Sequence, residues 1–170
     1  MLLIADTSVL VNFLNVDRMV LIGRHEPRCV ITQHVVDEVT DFYPQQQARL
    51  SKAIADGHLA VIQVSEDPEI DIFGRIQHTG RLGIGESSAI AVALHRAYAI
   101  AIDDRRAIRD ALAMAATQGL TLTVLKTQDI VVRLIQAGQL SVGQADILLV
   151  SWRTQHRFHL PIQSFAELVS

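Results

Sequence analysis

The 170-residue chain is 49% hydrophobic and 19% charged, which excludes a disordered or fibrous protein and suits one ordinary domain with a full core. No apolar run reaches the roughly 18 residues of a membrane span, and a single cysteine, Cys29, excludes an internal disulfide and fits a reducing cytoplasm. A net charge of −3 argues against nucleic acid as a partner only weakly, because acids gathered on a metal no longer act as repulsive surface.

Met1-Leu2-Leu3-Ile4-Ala5-Asp6 is apolar, short and without a basic leader, and reads as a first strand over 2–5 rather than a signal peptide. A short helix over 7–15 begins just after Asp6. Cys29-Val30-Ile31 gives a second strand, followed by helices over about 33–42 and 45–57, the latter ending at Gly57. Leu59–Val64 is a third strand, and after the loop Ser65–Pro68 come helical stretches near 69–80 and 85–97. Ala97–Ile102 is a fourth strand, 105–118 a helix ending at Gly119, and Leu120–Val124 a fifth strand. This alternation predicts an α/β fold: a three-layer α/β/α sandwich around a central parallel five-stranded sheet, with sites at the carboxyl ends of the strands. The remainder predicts helices over 127–137, 143–155 and 161–169. The chain therefore reads as one domain over 1–170, an α/β core to about 125 and a helical C-terminal extension over about 126–170.

Acids fall where such a sheet would gather them. Asp6 ends the first strand, Asp103 and Asp104 follow the fourth, and Leu82-Gly83-Ile84-Gly85-Glu86 delivers an acid to a helix start. Glu38 lies on the helical side shared by Val35, Val39 and Phe42, while Asp37 and Asp41 point away; a carboxylate there needs a partner. Each acid also has a plain structural reading. Asp6 and Asp104 suit helix caps, Glu86 suits the positive end of a helix dipole, and Glu38 could pair with an arginine. Together, four acids converging on one place would repel one another, so a divalent cation explains them jointly. The chemistry this predicts is phosphodiester hydrolysis with Mg²⁺ or Mn²⁺, by one metal or two.

These residues resemble the PIN domain, in particular the VapC-like nucleases with a Leu-Gly-x-Gly-Glu motif and an Asp-Asp-Arg/Lys run. The resemblance covers nearly the whole chain, down to Leu134-Ile135-Gln136-Ala137-Gly138 and the closing helices. It implies a Rossmann-like sandwich and a Mg²⁺-dependent endoribonuclease with Asp6, Glu38, Glu86 and Asp104 as catalytic acids. Asp103 joins these four as a candidate metal ligand, with either aspartate as the main one, and Ser8 and Thr7 support Asp6. It further implies RNA as substrate, homodimerisation, and the role of a type II toxin silenced by a cognate antitoxin protein. Two departures stand out: Ile102 where many relatives have a hydroxyl two residues before the fourth acid, and Lys126-Thr127 where relatives often have Gly-Thr.

Arg105, Arg106 and Arg109 share a side of the helix beside Asp104 and are candidates for RNA phosphate contacts, or for a solvated helix face. Arg75, His78 and Arg81 precede Glu86 as a weaker basic group. Seven histidines show no zinc spacing, and no phosphate-binding loop occurs. Two further classes compete with the ribonuclease: a non-catalytic PIN module that binds RNA or protein, and a phosphotransfer domain using Asp6 covalently. Against the latter, Ser8 stands where a second acid would be expected.

Overall fold

Five short apolar runs become strands; the three central ones are buried on both sides, as a parallel sheet covered by helices requires, and the two edge runs are partly open. The computed structural model describes residues 1–169, so the last residue of the expected domain, Ser170, lies outside the described residues. In chain order the elements are β1 (Leu3–Ala5), α1 (Thr7–Asn15), α2 (Met19–Arg24), β2 (Cys29–Thr32), α3 (Gln33–Phe42), α4 (Pro44–Ala55) and β3 (Ala60–Ile62). They continue with α5 (Asp67–His78), α6 (Ile84–Arg96), β4 (Ala99–Ala101), α7 (Arg105–Thr117), β5 (Val124–Leu125), α8 (Thr127–Gln136), α9 (Val142–Gln155) and α10 (Ala166–Val169). All strand pairs are parallel, in the order β3-β2-β1-β4-β5. The fold is the expected α/β sandwich, with β1 at the centre.

Side chains alternate across this sheet with period two. Leu3, Ala5, Cys29, Ile31, Ala99, Ala101 and Leu125 face one core, which α1 to α4, α8 and α9 close; Ile4, Val30, Ile100 and Ile102 face the other, under α5, α6 and α7. The C-terminal helices belong to the first of these cores. Trp152 of α9 is fully buried, meets Phe13 edge-to-face at 5.9 Å, and donates its indole N–H to Asn12 O at 2.8 Å. No helix among the described residues is long and apolar enough to cross a membrane.

The structure differs from the sequence expectation in places. Phe42, expected beside Val35 and Val39 on the buried side of its helix, is 73% exposed, because α3 stops at that residue and the chain turns into α4. The six-residue α2 was not expected, and the last helix is confined to Ala166–Val169. The fourth strand starts later than Ala97, which is a left-handed cap of α6 (φ 53°), and the fifth is shifted to Val124–Leu125.

Replacing Trp152 by Ala removes the largest side chain of the first core and orphans Asn12 O. The expected loss is about 3–5 kcal/mol of unfolding free energy in a urea titration. A loss under 1 kcal/mol would show that α9 is not part of the cooperative core.

Candidate metal and catalytic site

The carboxyl ends of all five strands share one edge, so the residues following β1, β2, β4 and β5 meet there. Asp6 directly follows the central strand, tied by its N–H to Ala101 O at 2.9 Å. It caps α1: Oδ2 accepts the Ser8 N–H at 3.0 Å and the Ser8 hydroxyl at 2.7 Å. Its other oxygen, Oδ1, is buried and has no hydrogen-bond partner. Asp6 is therefore both a helix cap and a carboxylate with a free oxygen. Burial is the main reason its pKa is pushed up to about 7; the Ser8 hydrogen bonds oppose the rise and the charge of Glu86 adds to it.

Glu38 reaches this edge from the second turn of α3. Its Oε2 accepts the Thr7 hydroxyl at 3.1 Å, and among the described residues it joins no ion pair, so the arginine partner weighed from the sequence is not found. Gly85 lets it lie there. A Cβ on Gly85 would all but overlap Glu38 Oε2 and would sit 3.1 Å from Thr7 Oγ1. Glu86, one residue on, accepts the Gly83 N–H at 3.0 Å. Its pKa is raised, first by burial and then by the charges of Asp104 and Glu38, while the Gly83 bond and Arg106 act the other way. The first turn of α6 is fixed by a buried hydroxyl pair: Thr32 and Ser88 lie 2.7 Å apart, and Ser88 donates to Gly85 O at 2.8 Å.

The two adjacent aspartates are used differently. Asp104 caps α7, its Oδ1 accepting the N–H groups of Arg106 and Ala107, both at 2.8 Å. Asp103 is engaged on both oxygens: Thr127 N–H at 2.9 Å on Oδ1, and Asn12 Nδ2 at 2.9 Å and Thr127 Oγ1 at 2.6 Å on Oδ2. Its own N–H donates to Ser8 Oγ at 3.2 Å. Burial raises its pKa and the Thr127 bonds restrain the rise. Asp6, Glu38, Glu86 and Asp104 thus form the group with oxygen left for a ligand, and Asp103 ties α1, β4 and α8 together behind them.

Asn12 is not singled out by the sequence, and Thr127 enters there only through the Lys126-Thr127 pair, without a role at the site. Asn12 carried a usable signal, a buried amide within the apolar run Val9, Leu10, Phe13, Leu14. Ile102 is fully buried under α6 and α7 and lends the site no hydroxyl; those of Thr7, Ser8 and Thr127 are present instead. Arg105, Arg106 and Arg109 are all exposed on α7. Arg106 is the one whose charge reaches Glu86.

These residues fit a hard divalent cation. The donors are all carboxylate oxygens, one of them buried and unpartnered, and the approach of Glu38 depends on Gly85 having no Cβ. Among the described residues no three of these acids have ligand atoms within 4.8 Å of one another, so they do not form a closed ligand cage. The cluster that does meet that spacing is Glu66, Glu69 and His95, at the far end of α6. There Arg96 already supplies the positive charge, bonding both oxygens of Glu69.

Two expected outcomes test this geometry. Gly85→Ala should displace Glu38 and weaken Mn²⁺ binding at least tenfold by calorimetry, with a thermal midpoint within a few degrees of wild type; unchanged affinity would remove Glu38 from the site. Asp6 in the metal-free protein contributes stability that is fully present below about pH 4 and lost as pH rises through about 7, because its folded pKa is raised. Asp6→Asn should therefore match wild type near pH 4 and exceed it by a few kcal/mol at pH 8. A stability gain that does not vary with pH would contradict the burial of an ionised Asp6.

The family described as DUF3368, PIN domain, matches residues 2–169 of the chain. No curated protein matches it. Among solved structures, a PilT N-terminus domain protein from the hyperthermophilic archaeon Sulfolobus solfataricus P2 is similar, with a TM-score of 0.54 and 18% sequence identity over 83% of this chain and 95% of that one. At that identity the likeness concerns the fold.

Proposed function

We propose that this chain, which belongs to the PIN-domain family, is a Mg²⁺- or Mn²⁺-dependent endoribonuclease whose metal is held by Asp6, Glu38, Glu86 and Asp104. PIN domains are typically nucleases. The observation that carries the reading to this chain is Asp6 Oδ1, buried and unpartnered within a group of four acids. When bound, the ion supplies activation of water and neutralisation of charge on the leaving oxygen.

The chain's own residues supply position and charge. Ser8 fixes Asp6, Thr7 fixes Glu38, and the Gly83 N–H fixes Glu86. Asp103 acts as a positioning residue through Asn12 and Thr127. Asp6 must give up its proton to face a cation, so metal affinity falls as pH drops below about 7. RNA as substrate, a homodimer and the toxin of a type II pair with a cognate antitoxin protein complete the proposal. They rest on the resemblance of Asp6-Thr7-Ser8, Leu82–Glu86 and Asp103-Asp104-Arg105 to VapC-like nucleases.

The alternative is a PIN module that binds RNA or protein without cutting, which the hydrophobic, buried Ile102 favours. One experiment separates the two. Mn²⁺ titrated by calorimetry into wild type and Glu38→Gln, followed by RNA cleavage assays, should show binding and cleavage in wild type and the loss of both in the variant. Metal binding without cleavage of any RNA would make the non-catalytic reading correct; equal or absent Mn²⁺ binding in both proteins would sink the metal site itself.

A further inference from the structure

A cleft of about 550 Å³ runs between α5 and α7, within the range of roughly 300–1,000 Å³ usual for small-molecule sites. Its lining is apolar at Ile72, Ile76, Leu82 and Met114 and basic at Arg75 and Arg81. Both walls start at the acids. The loop that supplies Arg81 and Leu82 passes directly into Gly83, whose N–H holds Glu86. The other wall, α7, starts at Asp104, and its lining residue Asp110 lies six residues on, about 9 Å along the helix.

Charge along the cleft is set by arginines. The lining residues of α7 follow helical spacing, and one turn back along that row stands Arg106, whose charge reaches Glu86. Arg105 and Arg109 turn further from the cleft on the same helical spacing. Asp110 is paired with Arg109 at 3.4 Å. Among the described residues Arg75, Arg81 and Arg106 join no ion pair. An apolar slot flanked by unpaired guanidinium groups matches one base and its phosphate, and a base can enter it only from a single strand.

We propose that this cleft seats the nucleotide beside the scissile bond of a single-stranded RNA. Its base lies against Ile76, Leu82 and Met114, its phosphate lies on the Arg81 and Arg106 side, and Arg75 meets the strand further along the cleft. The proposal rests on the ribonuclease reading of the acids and adds a site that selects substrate by the base beside the cut.

The test uses an RNA oligomer that wild type cuts once, and versions of it with an abasic residue at successive positions around the cut. Wild type, the double variant Arg75→Ala/Arg81→Ala and the cleft-filling Ala113→Trp are compared. Wild-type cleavage should fall about tenfold or more when the abasic residue occupies one position beside the cut. Ala113→Trp should show that loss with the intact oligomer and no further loss with the abasic one. The double arginine variant should bind the intact oligomer about tenfold more weakly in EDTA, with a shallower salt dependence. Mn²⁺ affinity and thermal midpoint should match wild type in both variants. RNA binding and cleavage equal to wild type in both would overturn the cleft and leave the ribonuclease reading standing, as would losses accompanied by lost Mn²⁺ binding. A wild type that neither binds nor cuts RNA would overturn both.

Discussion

A carboxylate that the fold buries and does not pair governs this edge of the molecule. Asp6 is buried because it ends the central strand, with β2 and β4 on either side and α1 beginning immediately after it. Capping α1 satisfies one oxygen and leaves the other without a partner. The nearby Glu86 deepens the conflict, and Glu86 is itself pushed up by burial and by Asp104 and Glu38. Loosening the packing would relieve the repulsion, but the arrangement is fastened instead. Gly85 has no Cβ, Thr32 and Ser88 lock the start of α6, and Thr7 anchors Glu38. Under these restraints the acids are held together against their own charge.

The same helix supplies the contrast. Glu69 is as buried as Asp6, at 0% against 1% exposed, and it packs at the opposite end of α6. Burial works to raise its pKa too, but hydrogen bonds from Arg96 and from the backbone of Ser65 and Glu66 hold it below the usual range. One buried acid in this chain was given an arginine, and the other was given the neighbouring charge of Glu86 and a helix to cap. The difference is informative because both solutions occur in the same protein. An ion pair closes the α5–α6 end as a structural clamp, while among the described residues the end facing Asp6 has no such cationic partner.

Much of the frame was legible because periodicity and strand-end acids are local. The alternation of apolar runs with helical stretches ending at Gly57, Gly119 and Gly138 predicts a parallel sheet, and the strand order β3-β2-β1-β4-β5 brings Asp6 beside Asp103 and Asp104. Glu38 was legible as a charge beside Val35 and Val39. The same stripe argument failed at Phe42, since a helical wheel does not know where the helix stops and what covers its last turn. It was not applied to Asn12, whose amide sits among Val9, Leu10 and Phe13 and bonds a residue 91 positions away. Gly85 could be read as a tight approach but not as an approach to Glu38, because that contact joins α3 to α6 and depends on the packed fold.

The adjacent aspartates show why residue type and spacing reach only so far. In sequence Asp103 and Asp104 are equivalent, two acids after an apolar strand. In the fold, one backbone step turns their side chains apart. Asp103 goes back toward α1 and α8, where Asn12 and Thr127 consume both oxygens, and Asp104 goes forward onto the N-terminus of α7 with its charge felt by Glu86. The chain thereby uses one carboxylate to set the angle at which the other is presented. Because Thr127 opens α8, and Trp152 of α9 bonds the backbone of Asn12, the C-terminal helices take part in that setting. What reads in sequence as an extension after a finished α/β core is a brace for the acid at its fourth strand.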